Sequence, residues 1–346
     1  MRNLIDRLER ERTLAKPEFV ALLEGHRDPD VAVHLASRAM AVREEHYGRD
    51  VFLRGLIEFT NYCKNDCLYC GIRKSNPDSE RYRLGPEEIL ARAAEGRRLG
   101  FRTFVLQGGE DPHYTDERLV EIVSALREKF PDCAITLSVG EKSRKSYERY
   151  FEAGADRFLL RHEAANPGHY DQLHPPAMNL ANRMRCLYDL KSIGYQVGAG
   201  FMVGSPGQTY EHLAEDLMFL RDLAPQMAGI GPFIPHPQTP LGRHPAGSPE
   251  LTVFILGLIR LMLPRVLLPA TTALGTLAPR GRERALEFGA NVMMPNLSPL
   301  EVRRKYDIYT GKIHQGEEAA EGVARLKRHL AELGFATPEI RGDFRA

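Results

Sequence analysis

Apolar and polar residues follow two different periods along this chain, and they predict a repeating series of strands and helices. Short apolar runs recur from residue 51 to residue 294, and amphipathic segments with helical spacing lie between them. The predicted strands are 51–59, 103–107, 134–138, 157–160, 196–202, 227–231, 266–270 and 291–294. One predicted helix begins at 85, and the others cover 116–130, 145–153, 180–193, 210–222, 251–263 and 282–288.

Strands that alternate with helices in this way predict an α/β fold. Apolar strands separated by helices pair in parallel through right-handed crossovers, and eight such units close naturally into a (β/α)8 barrel of the triosephosphate isomerase type. A doubly wound open sheet is the alternative, but the Gly-rich turn G-x-G-x-x-G that such a sheet uses is absent after the first strand.

The two ends of the chain do not continue the strand and helix repeat. Residues 1–48 carry apolar residues at helical spacing, among them Leu35, Ala39 and Val42, and predict a helical N-terminal extension. Residues 300–346 include Tyr306 and a final helix predicted near 317–333, which we expect to cap one end of the barrel. The predicted division is therefore an extension (1–48), a barrel (49–299) and a C-terminal cap (300–346).

Composition and charge exclude several classes of protein. With 346 residues, of which 43% are apolar, the chain can bury a core large enough for a single barrel. The balance of 47 basic against 46 acidic residues gives no support for nucleic acid or an anionic membrane as the main partner. There is no apolar run of ~20 residues to span a bilayer, and the charged start lacks the core of a signal peptide. We therefore expect a cytoplasmic protein.

The chemistry is concentrated in three cysteines with the spacing C-x3-C-x2-C: Cys63, Cys67 and Cys70. A closed zinc site and an ordinary four-iron cluster both need four ligands, and the other cysteines, Cys133 and Cys186, lie far along the chain. A zinc knuckle completed by a distant histidine and a disulfide are the alternatives, and the odd number of cysteines disfavours the second. Three thiolates on a [4Fe-4S] cluster would leave one iron open to a non-protein ligand. The motif, with Tyr69 before its last cysteine, resembles the signature of the radical S-adenosylmethionine (SAM) superfamily.

Polar residues stand at the C-terminal ends of the predicted strands, and in a barrel these ends form the rim that carries active sites. We expect the cysteine segment and these strand-end residues to face one cavity: Gln107, Gly108, Gly109, Glu110, Thr136, Ser138, Arg161, His162, Glu163, Met202, His236, Thr271, Thr272 and Asn296.

The residue types at these strand ends predict roles in ligand binding. The backbone of Gly108 and Gly109, which carries no side chain, can approach a ligand amine closely. Glu163 can accept a hydrogen bond from a ribose hydroxyl or an amine, and Arg183 can bind a carboxylate. Arg161 needs an anionic partner at the barrel mouth.

Several segments look like those of one family within that superfamily, the HydE family of [FeFe]-hydrogenase maturases. They are 58–63, 67–71, 160–167, 229–237, 269–273 and 289–296, and the resemblance extends from about 15 to 335. It is more distant to biotin synthase and methylornithine synthase. The resemblance implies that a cluster-bound SAM is cleaved to a 5′-deoxyadenosyl radical. That radical would act on a small organometallic substrate, a cysteine-bound iron carbonyl cyanide species made by HydG, during assembly of the hydrogenase di-iron cofactor.

The resemblance also assigns residues to the site. Cys63, Cys67 and Cys70 would hold the cluster. The SAM contacts would be Tyr69, Gln107, Gly108, Gly109, Glu110, Ser138, Glu163, Arg183 and Met202, and the substrate or anion site would be formed by Thr136, Arg161, Thr271, Thr272 and Tyr306. HydG, HydF and an electron donor are the implied partners.

One departure from the family concerns a second cysteine cluster that some members carry after a Gly-Lys-Ile segment. Here Gly311-Lys312-Ile313 is followed by His314, and no cysteine lies beyond Cys186, so we predict one cluster only. Two other functions stay open: a methylornithine synthase-like or biotin synthase-like radical enzyme, and a non-enzymatic iron–sulfur scaffold.

Overall fold

The computed structural model of the chain describes residues 1–313 and 319–345. His314 and the predicted start of the last helix at 317 lie outside the described residues. The strands are β1 (Phe52–Leu53), β2 (Gly55–Thr60), β3 (Thr103–Gly108), β4 (Ala134–Ser138), β5 (Arg157–Leu159), β6 (Gln196–Ala199), β7 (Met202–Val203), β8 (Met227–Ala228), β9 (Gly231–Pro232) and β10 (Val292–Met293).

Helices precede, separate and follow these strands. They are α1 (Arg2–Glu11), α2 (Lys16–Glu24), α3 (Pro29–Tyr47), α4 (Pro86–Arg98), α5 (Asp116–Lys129), α6 (Arg144–Glu152), α7 (Pro167–Leu173), α8 (Leu180–Ile193), α9 (Tyr210–Leu223), α10 (Pro249–Met262), α11 (Thr272–Leu277), α12 (Gly281–Glu287), α13 (Leu300–Arg303) and α14 (Ala319–Glu332). A 3-10 turn covers Gly25–Arg27. The predicted helices are confirmed to within a few residues at their ends, whereas the short helices α7, α11 and α13 were not predicted.

The strands form a closed parallel ring, which confirms the predicted barrel. Strands β2, β3, β4, β5, β6 and β8 pair in that order, all in parallel. Parallel bridges join Met227 of β8 to Leu267 and Pro269 to Val292 of β10, and β10 pairs with β1. The seventh predicted strand is present only as these bridges, because Pro269 has no N–H to donate to a ladder. An open doubly wound sheet is therefore excluded.

The N-terminal helices thicken one wall of this barrel. Helices α1 and α3 pack on α10, and α2 packs on α9. The residues of α10 from Leu251 to Met262 are all buried, because the helix lies between the barrel and the N-terminal layer. The predicted helical extension is thus confirmed as helical, while the division of the chain at 48 and 299 stays a prediction.

The segment after β10 reaches both ends of the barrel, which we name the mouth (the C-terminal strand ends) and the floor (the N-terminal strand ends). At the mouth, Ile308 accepts a 3.1 Å hydrogen bond from the backbone of Gly71. At the floor, Asp50 bridges to Ala336, and Asp343 lies 2.6 Å from Arg157 of β5. No helix among the described residues has the length and apolar character needed to cross a membrane.

Candidate active site

The cysteine loop, residues 61–76, follows β2 and is fixed to three other parts of the mouth. The backbone N–H of Lys64 donates to Glu110 O (2.9 Å) after β3, and that of Leu68 donates to Leu173 O (2.9 Å) at the end of α7. The Gly71 N–H donates to the C-terminal segment at Ile308, as described above. These bonds place the predicted cluster ligands at the mouth, where active sites of such barrels lie.

Side chains inside and beside the loop complete its backbone bonding. Asp66 accepts hydrogen bonds from Arg73 Nε (2.8 Å) and from the backbone and hydroxyl of Ser75. Arg81 donates to the carbonyl oxygens of residues 61, 72 and 73. Many polar groups of the loop are therefore satisfied within the protein itself.

Two glycines allow other segments to approach the loop closely. A Cβ on Gly109 would lie 2.2 Å from Tyr62 O and 2.8 Å from Cys63 Cβ. A Cβ on Gly71 would lie 2.1 Å from Asp307 O and would collide with the His236 ring. Close packing by the cysteine loop therefore explains Gly109, and the predicted contact of Gly108 and Gly109 with a ligand amine stays a prediction.

The three thiols are free and lie close enough to disturb one another. Burial raises the pKa of each, that of Cys70 to about 12, and the neighbouring thiols raise the pKa values of Cys67 and Cys70 further. Three deprotonated thiols would be unfavourable here without a compensating cation. An iron–sulfur cluster supplies that positive charge and takes thiolate ligands, so the donor set fits such a group.

A single-ion site is not formed by the described residues. Among residues 1–313 and 319–345, no group of three or more His, Cys, Asp or Glu side chains is arranged to hold one metal ion. A zinc knuckle is therefore not supported in the described part of the chain. A four-iron cluster makes a different demand, since each iron takes its own thiolate.

Tyr69, Glu163 and Arg183 surround the thiols. Burial raises the pKa values of Cys67 and Tyr69, the charge of Glu163 raises both further, and the charge of Arg183 opposes the rise. The Tyr69 hydroxyl lies 3.3 Å from Nε2 of His174, whose Nδ1 faces the Tyr170 carbonyl at 2.8 Å. Met202 is part of a buried apolar cluster against which Tyr69 also packs. The structure thus brings together most of the residues predicted to contact SAM.

Arg183 has a protein partner that the sequence analysis did not identify. Its Nε lies 2.8 Å from Oε1 of Glu141, and both side chains are largely buried. Asn182 donates to the other oxygen of Glu141, and the Glu141 backbone N–H donates to Glu110 (3.1 Å). Arg183 is therefore not the free carboxylate fork that we expected, because one edge of its guanidinium faces Glu141.

Arg161 and Glu163 face each other across one residue at the end of β5. Arg161 Nη2 lies 3.1 Å from Glu163 Oε2, at ion-pair distance but without the alignment of a hydrogen bond. The anionic partner that Arg161 was expected to need is thus Glu163 itself. Glu163 has a φ of 65°, a left-handed conformation uncommon for a residue other than glycine.

Tyr306 reaches into the mouth beside a buried ion pair. Glu58 and Lys312 form this pair, and Asn296 Nδ2 also donates to Glu58 (2.6 Å). The Lys312 Nζ lies 5.1 Å from the centre of the Tyr306 ring, and Gln107 Nε2 donates to the Tyr306 hydroxyl (3.4 Å). Ser138 lies beside Gln107 in the sheet register. The C-terminal segment is therefore held at the mouth by charge as well as by backbone bonds.

Thr136 lies at the opposite end of the barrel from the cysteines. It lines a cavity of about 10 Å³ at the floor together with Arg54 and Arg157. The Thr136 hydroxyl and two nitrogens of Arg54 have no hydrogen-bond partner, although both side chains are buried. The expectation that all strand-end residues face one cavity is therefore wrong for Thr136, because this residue lies in the middle of β4 and points to the floor.

Thr271 and Thr272, which follow the seventh predicted strand, lie in different surroundings. Thr271 precedes α11, and its unpartnered hydroxyl faces β9, 3.3 Å from the position of a Cβ on Gly231. Thr272 lines a cavity of about 360 Å³ between the last strand, α12 and α14, with Asn296 and Lys312 also on its wall. This large cavity is beside the predicted site and does not include the cysteines.

Several residues of the mouth and floor were not predicted from the sequence, among them Arg54, Glu58, Glu141 and Lys312, and neither was Asp216, which is buried behind the mouth. Strand alternation would have found Arg54 and Glu58, because they lie four residues apart in the predicted strand 51–59, so they share one face, and both are buried. No local signal identifies Glu141, Asp216 or Lys312, whose partners are distant in sequence.

Comparison with known proteins agrees with this geometry. Residues 57–220 match the Radical SAM superfamily model. The chain is 45% identical over 333 residues to the [FeFe] hydrogenase maturase subunit HydE of Thermotoga maritima, covering 96% of this chain and 94% of the relative. It is 31% identical to 3-methylornithine synthase of Methanosarcina acetivorans, covering 78% of this chain and 77% of that protein.

Solved structures support the same fold. The crystal structure of methylornithine synthase (PylB) matches with a TM-score of 0.83 and 26% identity, covering 96% of this chain and 97% of that one. HydG from Carboxydothermus hydrogenoformans matches in fold, with a TM-score of 0.78, 22% identity and coverage of 96% and 78%. The extent of the identity to HydE, over nearly the whole of both chains, shows that this chain belongs to the HydE family of the radical SAM enzymes.

Proposed function

We propose that this enzyme acts in the assembly of the [FeFe]-hydrogenase di-iron cofactor, in the role of its HydE relative. The observation that carries the proposal is a loop of three free thiols at the mouth of a closed barrel, in a chain 45% identical to a hydrogenase maturase. Membership of the superfamily implies a [4Fe-4S] cluster and SAM. A cytoplasmic setting, which keeps thiols reduced, would suit such a cluster.

Cys63, Cys67 and Cys70 would hold the cluster, and SAM would occupy the iron that they leave open. When bound, these groups would supply the one-electron reductive cleavage of the sulfonium that yields a 5′-deoxyadenosyl radical. The backbone bonds to Glu110, Leu173 and Ile308 keep the three thiols at the mouth.

The surrounding side chains would bind and orient SAM. Glu163 Oε2 is buried and has no hydrogen-bond donor, so it can accept one from a ribose hydroxyl or an amine. The guanidinium edge of Arg183 that does not face Glu141 can bind a carboxylate. Tyr69, Gln107, Gly108, Gly109, Glu110, Ser138 and Met202 would form the remaining walls.

A reactive radical requires a chamber that excludes water, and the C-terminal segment would help to provide it. His236, in the Pro-rich loop 232–240, lies 3.1 Å from Asp307, and both pack against Gly71 of the cysteine loop. Tyr306 extends inward from this junction. These contacts join the Pro-rich loop and the C-terminal segment to the loop that carries the thiols.

The substrate would be a small organometallic or anionic molecule held by cationic and hydroxyl groups. Arg161, Thr271 and Tyr306 are the candidates near the mouth, with Thr272 on the adjoining cavity and Thr136 beside Arg54 at the floor. HydG as the source of a cysteine-bound iron carbonyl cyanide substrate, HydF, and an electron donor are the partners that we propose on the basis of the family alone.

Anaerobic reconstitution with iron and sulfide, followed by SAM and dithionite, tests the radical chemistry. The native chain should release 5′-deoxyadenosine, and Cys67→Ala should release less than about 1% as much, because the cluster loses a ligand. Cys133→Ala, which removes a buried thiol away from the loop, should retain release. Native protein that loads a cluster but releases no 5′-deoxyadenosine would instead be a scaffold.

Hydrogenase maturation tests the biological role. In an in vitro maturation mixture that lacks its HydE component, this chain should restore hydrogenase activity. A 3-methylornithine synthase is the second candidate, favoured by the TM-score of 0.83 with PylB. Formation of 3-methylornithine without restored hydrogenase activity would select that function. A biotin synthase-like role is weaker, since Cys133 and Cys186 are too few to hold a second internal cluster.

A further inference from the structure

A fully buried pair, His162 and Asp216, lies directly behind the strained residue Glu163. Both side chains have 0% exposure, and His162 Nε2 lies 3.2 Å from Asp216 Oδ1. Neither residue faces the cysteine loop or the barrel cavities. A polar pair in such a position is expensive to bury and calls for a reason.

The backbone at Glu163 forms a tight turn of a rare kind. The N–H of Ala164 donates to His162 O (2.9 Å), across the single residue Glu163 with its φ of 65°. A three-residue turn with a positive φ at its centre is strained and uncommon. Strain of this kind persists only where the surroundings hold it in place.

The pair supplies contacts on both sides of this turn. The Ala165 N–H, two residues after Glu163, donates to Asp216 Oδ1 (2.6 Å). On the other side, the Gly200 N–H donates to His162 Nδ1 (3.3 Å), which leaves the proton of the neutral ring on Nε2, facing Asp216. Gly200 O also accepts the Glu163 N–H (3.0 Å).

Burial disfavours the charged form of each of the two side chains. It lowers the pKa of His162 to about 3 and raises that of Asp216 well above its ordinary value. Phe201 and Phe219 pack around the His162 ring, at 5.6 and 4.7 Å between centroids. The two side chains lie at contact distance from each other, each is tied to a backbone N–H, and the apolar shell leaves them little room to move, so the pair can act as a packed support.

We propose that His162 and Asp216 are positioning residues that hold Glu163 in its left-handed conformation and so aim its carboxylate at the SAM ribose or amine. The inference rests on the proposed function for the identity of the ligand. The pair is enclosed and does not touch the ligand, so it would affect binding only through the backbone conformation of Glu163.

The test measures SAM affinity and backbone conformation in three variants. Asp216→Ala removes the acceptor of the Ala165 N–H, whereas Asp216→Asn keeps an oxygen there. Leu217→Ala, at the next position of α9 and also 0% exposed, is a matched control that destabilises the core without touching the turn. Calorimetric titration of SAM into the reconstituted protein gives Kd, and crystals of the apo variants give the φ of Glu163.

We expect Asp216→Ala to raise the Kd for SAM about tenfold, because the competent turn is then populated about one-tenth of the time. Asp216→Asn should remain within about threefold of the native value, since the amide oxygen can still accept the hydrogen bond from the Ala165 N–H. Leu217→Ala should bind SAM normally. The inference is overturned if Asp216→Ala binds no more weakly than Leu217→Ala, or if Glu163 keeps its positive φ in apo Asp216→Ala.

Glu163→Gln, titrated in parallel, separates this inference from the proposed function. If Glu163→Gln binds SAM as tightly as the native protein does, the proposed SAM contact of that carboxylate is wrong. The φ of Glu163 in Asp216→Ala still tests the support in that case.

Discussion

At the scale of single residues, the described interior contains cationic side chains in two kinds of environment. Arg260 is fully buried and donates to the carbonyl oxygens of Gly289 and Pro264. Arg54 is equally buried, yet two of its nitrogens have no acceptor, and its remaining contact is Met227 Sδ at 2.8 Å. Burial, and then the charge of Arg157, lower the pKa of Arg54 far below its ordinary value. A buried cation without an anion costs stability.

This difference predicts opposite effects for two Arg→Met substitutions. In chloride-free buffer, Arg54→Met should raise the free energy of unfolding of the apo protein by about 1–3 kcal/mol, because an uncompensated buried charge is removed. Arg260→Met should lower it by about 2–3 kcal/mol, because it leaves buried carbonyl oxygens unpaired. Urea denaturation measures both changes.

Chloride dependence is the companion measurement for Arg54. The floor cavity of about 10 Å³ beside Thr136 has room for about one water molecule. A chloride ion is larger and enters only if the lining moves apart slightly. If the charge of Arg54 draws chloride in, the native protein should gain stability when chloride replaces gluconate at constant ionic strength, and Arg54→Met should not. Loss of stability in Arg54→Met, with the same chloride response as the native protein, would contradict this description of the floor.

At the scale of elements, local pattern predicts the strands and long helices well and the connections poorly. Strand β4 and helix α8 have the predicted bounds, because apolar period and glycine punctuation are local signals. Helices α7 and α11 were missed because they have only 7 and 6 residues, and helices this short depend on tertiary packing more than on local sequence. The sequence likewise placed the three thiols and Glu163 at the mouth, where the structure has them, and their roles there stay predictions. It could not pair Arg183 with Glu141, because spatial contact between distant segments leaves no trace in one sequence.

The C-terminal tail is an element whose attachment can be tested by charge. Asp343 lies against Arg157, whose side chain is 3% exposed, and also accepts from Gln196 Nε2 (3.0 Å). Burial alone would raise the pKa of Asp343, but hydrogen bonds from Arg341 and Arg157 hold it below its usual range. The carboxylate therefore binds fewer protons in the folded state than in the unfolded state, and its contribution to stability is present above the unfolded pKa.

Asp343→Asn should accordingly lower the free energy of unfolding at pH 7 by about 1–2 kcal/mol, a value discounted because the Asp343 side chain is 38% exposed. The difference from the native protein should persist down to about pH 5 and shrink below about pH 4, as the unfolded and then the folded carboxyl is protonated. Asp222→Asn, whose exposed pair with Arg221 is worth about 0.5 kcal/mol or less, is the control. A difference that grows in acid would refute the assigned linkage.

At the scale of the whole molecule, the barrel is closed at its two ends by parts of one C-terminal segment that behave independently. Near the mouth, Ile308 and Asp307 contact Gly71 and His236, so this part of the segment is tied to the cysteine loop. At the floor, residues 336–345 contact β5, β6 and the end of α3, with no contact to the thiols. Ligation of the thiols should therefore stiffen one end of the barrel and leave the other unchanged.

Hydrogen exchange on the apo and reconstituted protein tests this asymmetry. Binding a group to the folded state raises the free energy of opening of the units that contact it. Amides of the cysteine loop, of Leu241, which donates to Leu68 O (3.2 Å), and of 306–308 should exchange at least about tenfold more slowly after reconstitution. Exchange of the amides of 336–345 should be unchanged. Cys67→Ala, which lacks one cluster ligand, should show no slowing at the mouth after the same treatment. Uniform slowing across both ends would mean that the barrel opens as one unit, and unchanged exchange at 306–308 would mean that the Gly71 contact does not couple the loop to the C-terminal segment.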